Sequence, residues 1–379
     1  MLGATLQSLL PTAPAELCDI LDDGHGAIQA PIRSEIFGPQ RFEQHGRSLA
    51  ETHRAAVGIA GVAPFFPRIH GNIVALRRAH AYIGSLAGTG YDVSPAAEWL
   101  LDNFHLVEAQ LKEIKEGLPR SYYRKLPLLQ DEPLAGLPRI YGVAWAFVAH
   151  TDGAFDEALL VQYLSAYEDV RQLNLSEMWA LPTTLRVVLI ENLRRLAESI
   201  AAHKAAREVA NMCVDQLRAL TIEVLDGLLE VLNKRGVGQS FLLQMALRLQ
   251  DHHMARIDGE QAALQSWLQA ALPDLAAMRV RQGAEQAADN LSVSNAITSL
   301  RAIGDADWPD IIARTSTLMR LMLTQPVFAA EDVSTRDRSL HAIERLACQS
   351  GLSEVVVAQR LLVQMASTDD RAHARTFAT

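Results

Sequence analysis

From Ser176 to Leu232 the chain keeps apolar side chains at helical spacing, and this limits the folds open to it. Leu185, Val188, Leu189, Leu193, Leu196 and Ile200 fall on one face of a 3.6-residue period, the strongest such stripe in the sequence. The pattern continues past Leu217, which predicts one long helix or two nearly collinear ones. Pro182 is expected to kink or restart the chain near its beginning. Glu191 with Arg195, and Arg194 with Glu198, are spaced i,i+4 and are expected on the wet side, each pair worth about 0.3–0.5 kcal/mol. Aromatics make up only 6% of the 379 residues while 49% are hydrophobic, so Ala and Leu dominate and helix packing is favoured over β-sandwiches. The expected fold is all-α, a multi-helix array of antiparallel helix pairs.

A second stretch, from Ser94 to Asp156, is sharply punctuated. Ser94 and Pro95 read as N-cap and first helical residue. Leu100, Phe104, Val107, Leu111 and Ile114 then form a stripe that Gly117 and Pro119 terminate. An irregular aromatic segment follows, and a second apolar segment runs from Ile140 to Val148. Asp156 reads as the cap of a helix carrying Leu159, Leu160, Tyr163, Leu164 and Tyr167. Earlier helices are expected from just after Pro39 to about Gly58, with Phe42, Leu49 and Ala56 inward, and from near His70. Later ones are expected at 240–254, 259–271, 274–288, 293–303, 308–323, 335–349 and 353–367, joined by short loops. Composition and the Gly236/Gly238 break suggest an irregular leader at 1–40, a helical domain at 41–235 that holds the aromatic segment, a second helical subdomain at 236–368 and a polar tail at 369–379.

The net charge of -9 argues against nucleic acid as a partner. Arg77-Arg78 and Arg194-Arg195 are expected on solvated faces. Cys18, Cys213 and Cys348 lack metal-ligand or disulfide spacing and are expected to be reduced, buried thiols. The N-terminus lacks the basic start of a secretory signal, and no window reaches the roughly 18 uncharged apolar residues of a membrane span.

Neither phosphate-binding loops, a nucleophile elbow nor H-E-x-x-H occurs. His252 and His253 are adjacent, which on a helix points them about 100° apart and suits two solvent-facing histidines better than a shared metal. Two groups remain. Glu98, Asp102 and His105 share a polar helix face at i, i+4 and i+7, suited to a wet or inter-helix face with a His–Asp hydrogen bond or, with ligands from a second helix, to a divalent ion or, with Trp99 nearby, to a sugar. Tyr122, Tyr123, Tyr141, Trp145 and His150 suit either a packed helix junction or carbohydrate, whose C–H faces stack on aromatic rings. The proline-flanked SYYR segment is expected to be exposed.

Five blocks carry a resemblance. They are SPAAEWLLDNFHLVEAQLKEIKEGLPRSYYRKLP, LPRIYGVAWAFVAHTDGAFD, EMWALPTTLRVVLIENLRRLA, LSVSNAITSLRAIGDADWPD and STRDRSLHAIERLA, in that order. Together they resemble the N-terminal region of bacterial cyclic β-1,2-glucan synthases, over most of the chain from about Pro31. The resemblance implies a very large inner-membrane enzyme that builds a β-1,2-linked chain from UDP-glucose and cyclises it for export. In that family the glycosyltransferase domain, its membrane helices and a phosphorylase-like domain follow the matched region. The Q-x-x-R-W element of processive glycosyltransferases is absent here, and the tail STDDRAHARTFAT departs from the family, so the chain is expected to be truncated before those domains.

The resemblance thus implies a cytoplasmic module, associated with the inner membrane through the rest of the enzyme and supporting rather than catalysing glucosyl transfer. No catalytic residue, metal or cofactor is expected in this segment, UDP-glucose being the donor of the full-length enzyme. The expected partners are the glycosyltransferase domain of the same enzyme or a split-gene partner, and β-1,2-glucan. The alternatives are a β-1,2-glucan-binding module and a helical scaffold packing on the transferase domain.

Overall fold

The computed structural model describes residues 5–21, 26–56, 65–87, 94–117, 119–130, 133–216, 220–251, 259–272 and 274–366. His252, His253 and the expected tail at 369–379 lie outside them. The chain is mostly α, with 18 helices among the described residues. The first are α1 (Leu6–Leu9), α2 (Ala15–Leu21), α3 (Pro39–Thr52), α4 (Phe65–Ala87), α5 (Pro95–Gly117) and α6 (Arg120–Tyr123). Then come α7 (Arg139–His150), α8 (Glu157–Val170), α9 (Leu175–Asp215), α10 (Ile222–Arg235), α11 (Gly238–Asp251) and α12 (Gly259–Ala271). The last are α13 (Leu275–Asp305), α14 (Trp308–Thr315), α15 (Thr317–Leu323), α16 (Pro326–Ala330), α17 (Val333–Ser350) and α18 (Glu354–Ala366). Strands β1 (Ala55–Ala56) and β2 (Leu128–Leu129) pair antiparallel, Ala55 opposite Leu129.

Local chemistry explains most boundaries. The Asp156 carboxylate accepts the Leu159 N–H at 2.8 Å and starts α8, and Gly236, at φ +91, ends α10 in a conformation that suits glycine. Helix α9 runs through Pro182, and the burial of Met178, Leu181 and Leu185 around it offsets a cost of about 3 kcal/mol. The long periodic stretch resolves into two helices, α9 and α10. Helix α3 stops at Thr52, short of Gly58, and Ala56 belongs to β1. Conversely, α13 is one helix where two were expected. Its Asn290 carbonyl oxygen accepts the Ala96 N–H at 2.8 Å, so this side chain caps α5 instead of interrupting its own helix. Over 308–323 the opposite holds. Ser316 leaves helical geometry and its hydroxyl accepts the Met319 N–H at 3.3 Å, dividing α14 from α15.

The chain forms two compact units, each drawn from three stretches of sequence. The first comprises Met1–Ile32, Ile69–Glu108 and Ile190–Ile297; the second comprises Arg33–Arg68, Ala109–Leu189 and Thr298–Thr379. Residues 235 and 236 both belong to the first unit, and 40 and 41 to the second. Long-range polar contacts hold the leader to the first unit. The Arg235 guanidinium donates to the Gly26 carbonyl at 2.6 Å and the Ile20 carbonyl at 3.3 Å, and the Ile32 N–H donates to Asn192 Oδ1 at 2.7 Å.

In that unit Arg194 is buried, contrary to the solvated face expected for it. It donates to Asn72, Gln29 and Glu198 at 3.1, 2.6 and 2.8 Å, while Arg195 donates to the Ala30 carbonyl and to Glu191, which is fully buried. The acceptors on the leader turn what looked like a wet face into an anchored one. Of the three thiols only Cys213 is buried, with its pKa pushed up to about 12 by desolvation. Cys348 is exposed because it lies off the buried Leu340, Ile343 and Ala347 stripe of α17, and Cys18 is half-buried.

In the second unit α3 packs along α8. Phe42 is fully buried, its ring centroid 5.8 Å from that of Tyr163. The closest approach is at Gly46, where a Cβ would stand 2.7 Å from the Tyr163 carbonyl oxygen. Gly46→Ala must therefore push the backbones apart, and a loss of about 1–3 kcal/mol is expected in chemical denaturation. A variant as stable as the parent would show that this contact is not limiting.

Candidate functional site

The aromatic segment folds around Phe65, the first residue of α4, which begins earlier than the helix expected from near His70. Tyr123 stacks on Phe65 with centroids 5.3 Å apart, and Tyr141 meets the Phe65 ring edge-on at 5.8 Å. Trp145 extends the cluster, 5.9 Å from Tyr141, with the Arg68 guanidinium 5.9 Å from its own ring. The SYYR segment is not exposed in the manner expected. Tyr123 is 2% accessible, its hydroxyl 3.3 Å from the Ala180 carbonyl and 3.2 Å from Thr184 Oγ1, and Tyr141 is wholly buried. Neither offers a free ring face. Tyr122 is half-buried and donates its hydroxyl to the Ser176 carbonyl, while Trp145 is half-buried as well.

His150 stands in a different cluster. Its ring stacks on Phe37 at 3.9 Å, with His45 at 4.6 Å, and its Nδ1 lies 2.7 Å from the Glu35 carbonyl oxygen. Glu98, Asp102 and His105 remain on the exposed face of α5, where His105 Nδ1 is 3.1 Å from the backbone carbonyl of Asp102. Among the described residues no group of three or more His, Cys, Asp or Glu side chains is placed to hold a metal ion.

The second unit also contains a buried ionic cluster at the start of α9. Arg139 Nε donates to Glu177 Oε1 at 2.9 Å, its Nη2 donates to Glu177 Oε2, and the same Nη2 reaches the Gln172 carbonyl at 3.1 Å. Glu177 additionally accepts the Asn174 N–H at 2.9 Å. Glu354 accepts the Leu175 N–H at 2.8 Å, and Glu168 accepts the N–H groups of Leu173 and Thr317 at 2.6 and 2.9 Å. These carboxylates satisfy helix-terminal N–H groups that would otherwise be orphaned. Burial pushes the Glu354 carboxyl up to about 7; the Leu175 bond opposes this, and the nearby Glu344, Glu177 and Glu168 charges add to it.

The first unit encloses a cavity of about 560 Å³. Helices α9, α11 and α13 supply most of its wall, and Ser94 and Pro95 at the start of α5 complete it. Helix α9 supplies Lys204, Arg207, Glu208 and Asn211; α11 supplies Ser240, Leu243, Gln244 and Leu247; α13 supplies Gln282 and Gln286. Hydrogen bonds from side-chain amides stitch the walls: Gln244 donates to Asn211 Oδ1 at 2.9 Å and Gln282 to Ser240 Oγ at 3.1 Å. The Tyr82 hydroxyl donates to Glu208 Oε2 at 2.8 Å. Beneath the wall, burial drives the His203 pKa down to about 4, with the Arg207 charge adding to the effect, and its Nδ1 lies 2.8 Å from Ser240 Oγ. The signal was present in the sequence as a polar row at i, i+3, i+4 and i+7, opposite the fully buried Ala202, Ala205, Ala206 and Val209.

No known family profile matches the chain. It is, however, 32% identical over 365 residues to the cyclic beta-(1,2)-glucan synthase NdvB of Rhizobium meliloti (strain 1021). The chain is homologous to part of a cyclic β-1,2-glucan synthase. The alignment takes in 93% of the chain and 12% of the synthase, so the chain spans about one eighth of that relative's length. At that coverage most of both units lies within the similarity to the synthase. Among the described residues no helix is long and apolar enough to cross a membrane.

The ionic cluster makes stability depend on pH in a stated direction. A carboxyl with a folded pKa near 7 binds its proton more tightly when folded than the ordinary value of 4.5 allows when unfolded. The Glu354 contribution is therefore most favourable below about pH 4.5 and is lost as the pH rises through 7, a span of roughly 3 kcal/mol. Glu354→Gln keeps an acceptor for Leu175 without the charge. Its stability relative to the parent should rise between pH 5 and pH 8 in urea unfolding, and a constant difference would contradict the assignment.

Proposed function

We propose that the chain is a helical module of a cyclic β-1,2-glucan synthase that supports UDP-glucose-dependent glucan synthesis without performing glucosyl transfer. The observation that carries this reading is the 32% identity to NdvB, sustained over 93% of the chain. The non-catalytic half draws support from the carboxylates of the buried ionic cluster. Glu177, Glu168 and Glu354 are occupied by Arg139 and by backbone N–H groups, where a general acid or nucleophile needs a reachable oxygen. In this reading the module works beside the glycosyltransferase domain of the same enzyme, or of a split-gene partner, at the inner membrane. A second reading, a glucan-binding module, is favoured by the amide-rich cavity of the first unit; the aromatic segment supports it less, since Tyr123 and Tyr141 are covered.

Two assays test the proposal together. The isolated chain incubated with UDP-glucose should release no glucan and gain no glucose by intact mass, Tyr122 included. Deleting the homologous segment from the Rhizobium synthase should lower glucan formation in membranes about tenfold, equivalent to roughly 1.4 kcal/mol of effective stabilisation. Glucan made by the isolated chain would overturn the non-catalytic half, and undiminished synthesis by the deleted enzyme would overturn the supporting role.

A further inference from the structure

We infer that the cavity between α9, α11 and α13 is a binding site for a neutral, hydroxyl-rich ligand, a short saccharide. Its volume of about 560 Å³ lies within the range typical of small-ligand sites, about 300–1,000 Å³. The choice of ligand follows from two neighbouring side chains on α9. Glu208 Oε2 is held by Tyr82, but its Oε1 is buried without a hydrogen-bond partner and calls for a donor. Arg207 is half-buried, with the Glu208 charge beside it, and donates to no acceptor among the described residues. It calls for an acceptor.

A hydroxyl group is both donor and acceptor, so adjacent hydroxyls satisfy Glu208 and Arg207 together. A phosphate only accepts: it suits the Lys204 and Arg207 charges but offers Glu208 Oε1 no donor. Gln286 adds a two-sided hydrogen-bonding group at the exposed rim, and Leu243 and Leu247 supply apolar contact for C–H faces. A buried carboxylate oxygen without a hydrogen bond is costly, so a hydroxyl donating to Glu208 Oε1 favours binding. That the saccharide is a β-1,2-glucan segment rests on the proposed role in glucan synthesis; that the cavity takes a saccharide does not.

The test is saturation-transfer NMR on the full chain with linear β-1,2-gluco-oligosaccharides, with cello-oligosaccharides and pyrophosphate as comparison arms. Saturable binding of a saccharide is expected, with pyrophosphate failing to displace it. Glu208→Gln retains an acceptor for Tyr82 but replaces the free oxygen, and should weaken binding about tenfold. Gln286→Ala, at the exposed rim, should weaken it less and keeps the test open if the first variant unfolds. Absence of saccharide binding up to about 10 mM, displacement by pyrophosphate, or full affinity in both variants would overturn the site. Equal binding of both saccharide series would keep the cavity and remove its link to β-1,2-glucan. No binding alongside a loss of synthesis in the deleted enzyme would refute the cavity alone.

Discussion

The second unit depends on the buried pairing of Arg139 with Glu177. Both side chains are almost completely enclosed, and neither could stay charged there alone. Around them Glu168 and Glu354 turn their oxygens to the first backbone N–H groups of α9 and α15. One guanidinium and three carboxylates thus bring together residues from α7, α8, α9 and α18. Burial opposes the Arg139 charge, and the bonds to Glu177 more than restore it, so its pKa lies above the ordinary value. An arrangement of this kind gives register to helices that Ala and Leu alone would let slide.

The first unit uses polar groups differently. Arg194, Arg195 and Arg235 hold the leader through its carbonyls and Gln29, and their hydrogen bonds close on the protein. On the α9 face that bears Lys204, Arg207, Glu208 and Asn211, closure is incomplete. In the ionic cluster of the second unit Glu177, Glu168 and Glu354 each accept hydrogen bonds, whereas on α9 in the first unit Glu208 Oε1 has none. That contrast separates a structural cluster from a binding one, and it is why the proposed ligand site lies away from the aromatic segment.

Local signals in the sequence translated well. Asp156, Ser94 with Pro95, and Gly236 marked helix ends that the structure shows, and the α5 stripe of Leu100, Val107, Leu111 and Ile114 is buried as its spacing required. Residues whose role depends on a distant partner did not. Nothing local marks Glu177 for its role, because Arg139 lies 38 positions away, and the backbone groups taken by Glu168 and Glu354 lie up to 179 positions away. Arg194 read as solvated because Gln29 is 165 positions distant. The aromatic residues were recognised as a group, but Phe65 as their hub was not, and His150 joined Phe37 instead. The polar row on α9 has the spacing of an ordinary wet helix face, and only α11 and α13 make it a cavity wall.

The structural reading of the buried carboxylates is tested most directly by urea unfolding of Glu177→Gln. Removing this charge leaves Arg139 buried without its counterion, and a loss of about 3–5 kcal/mol is predicted. Stability within about 0.5 kcal/mol of the parent, the ordinary range for an innocuous surface change, would contradict the account and reopen Glu177 as a functional acid.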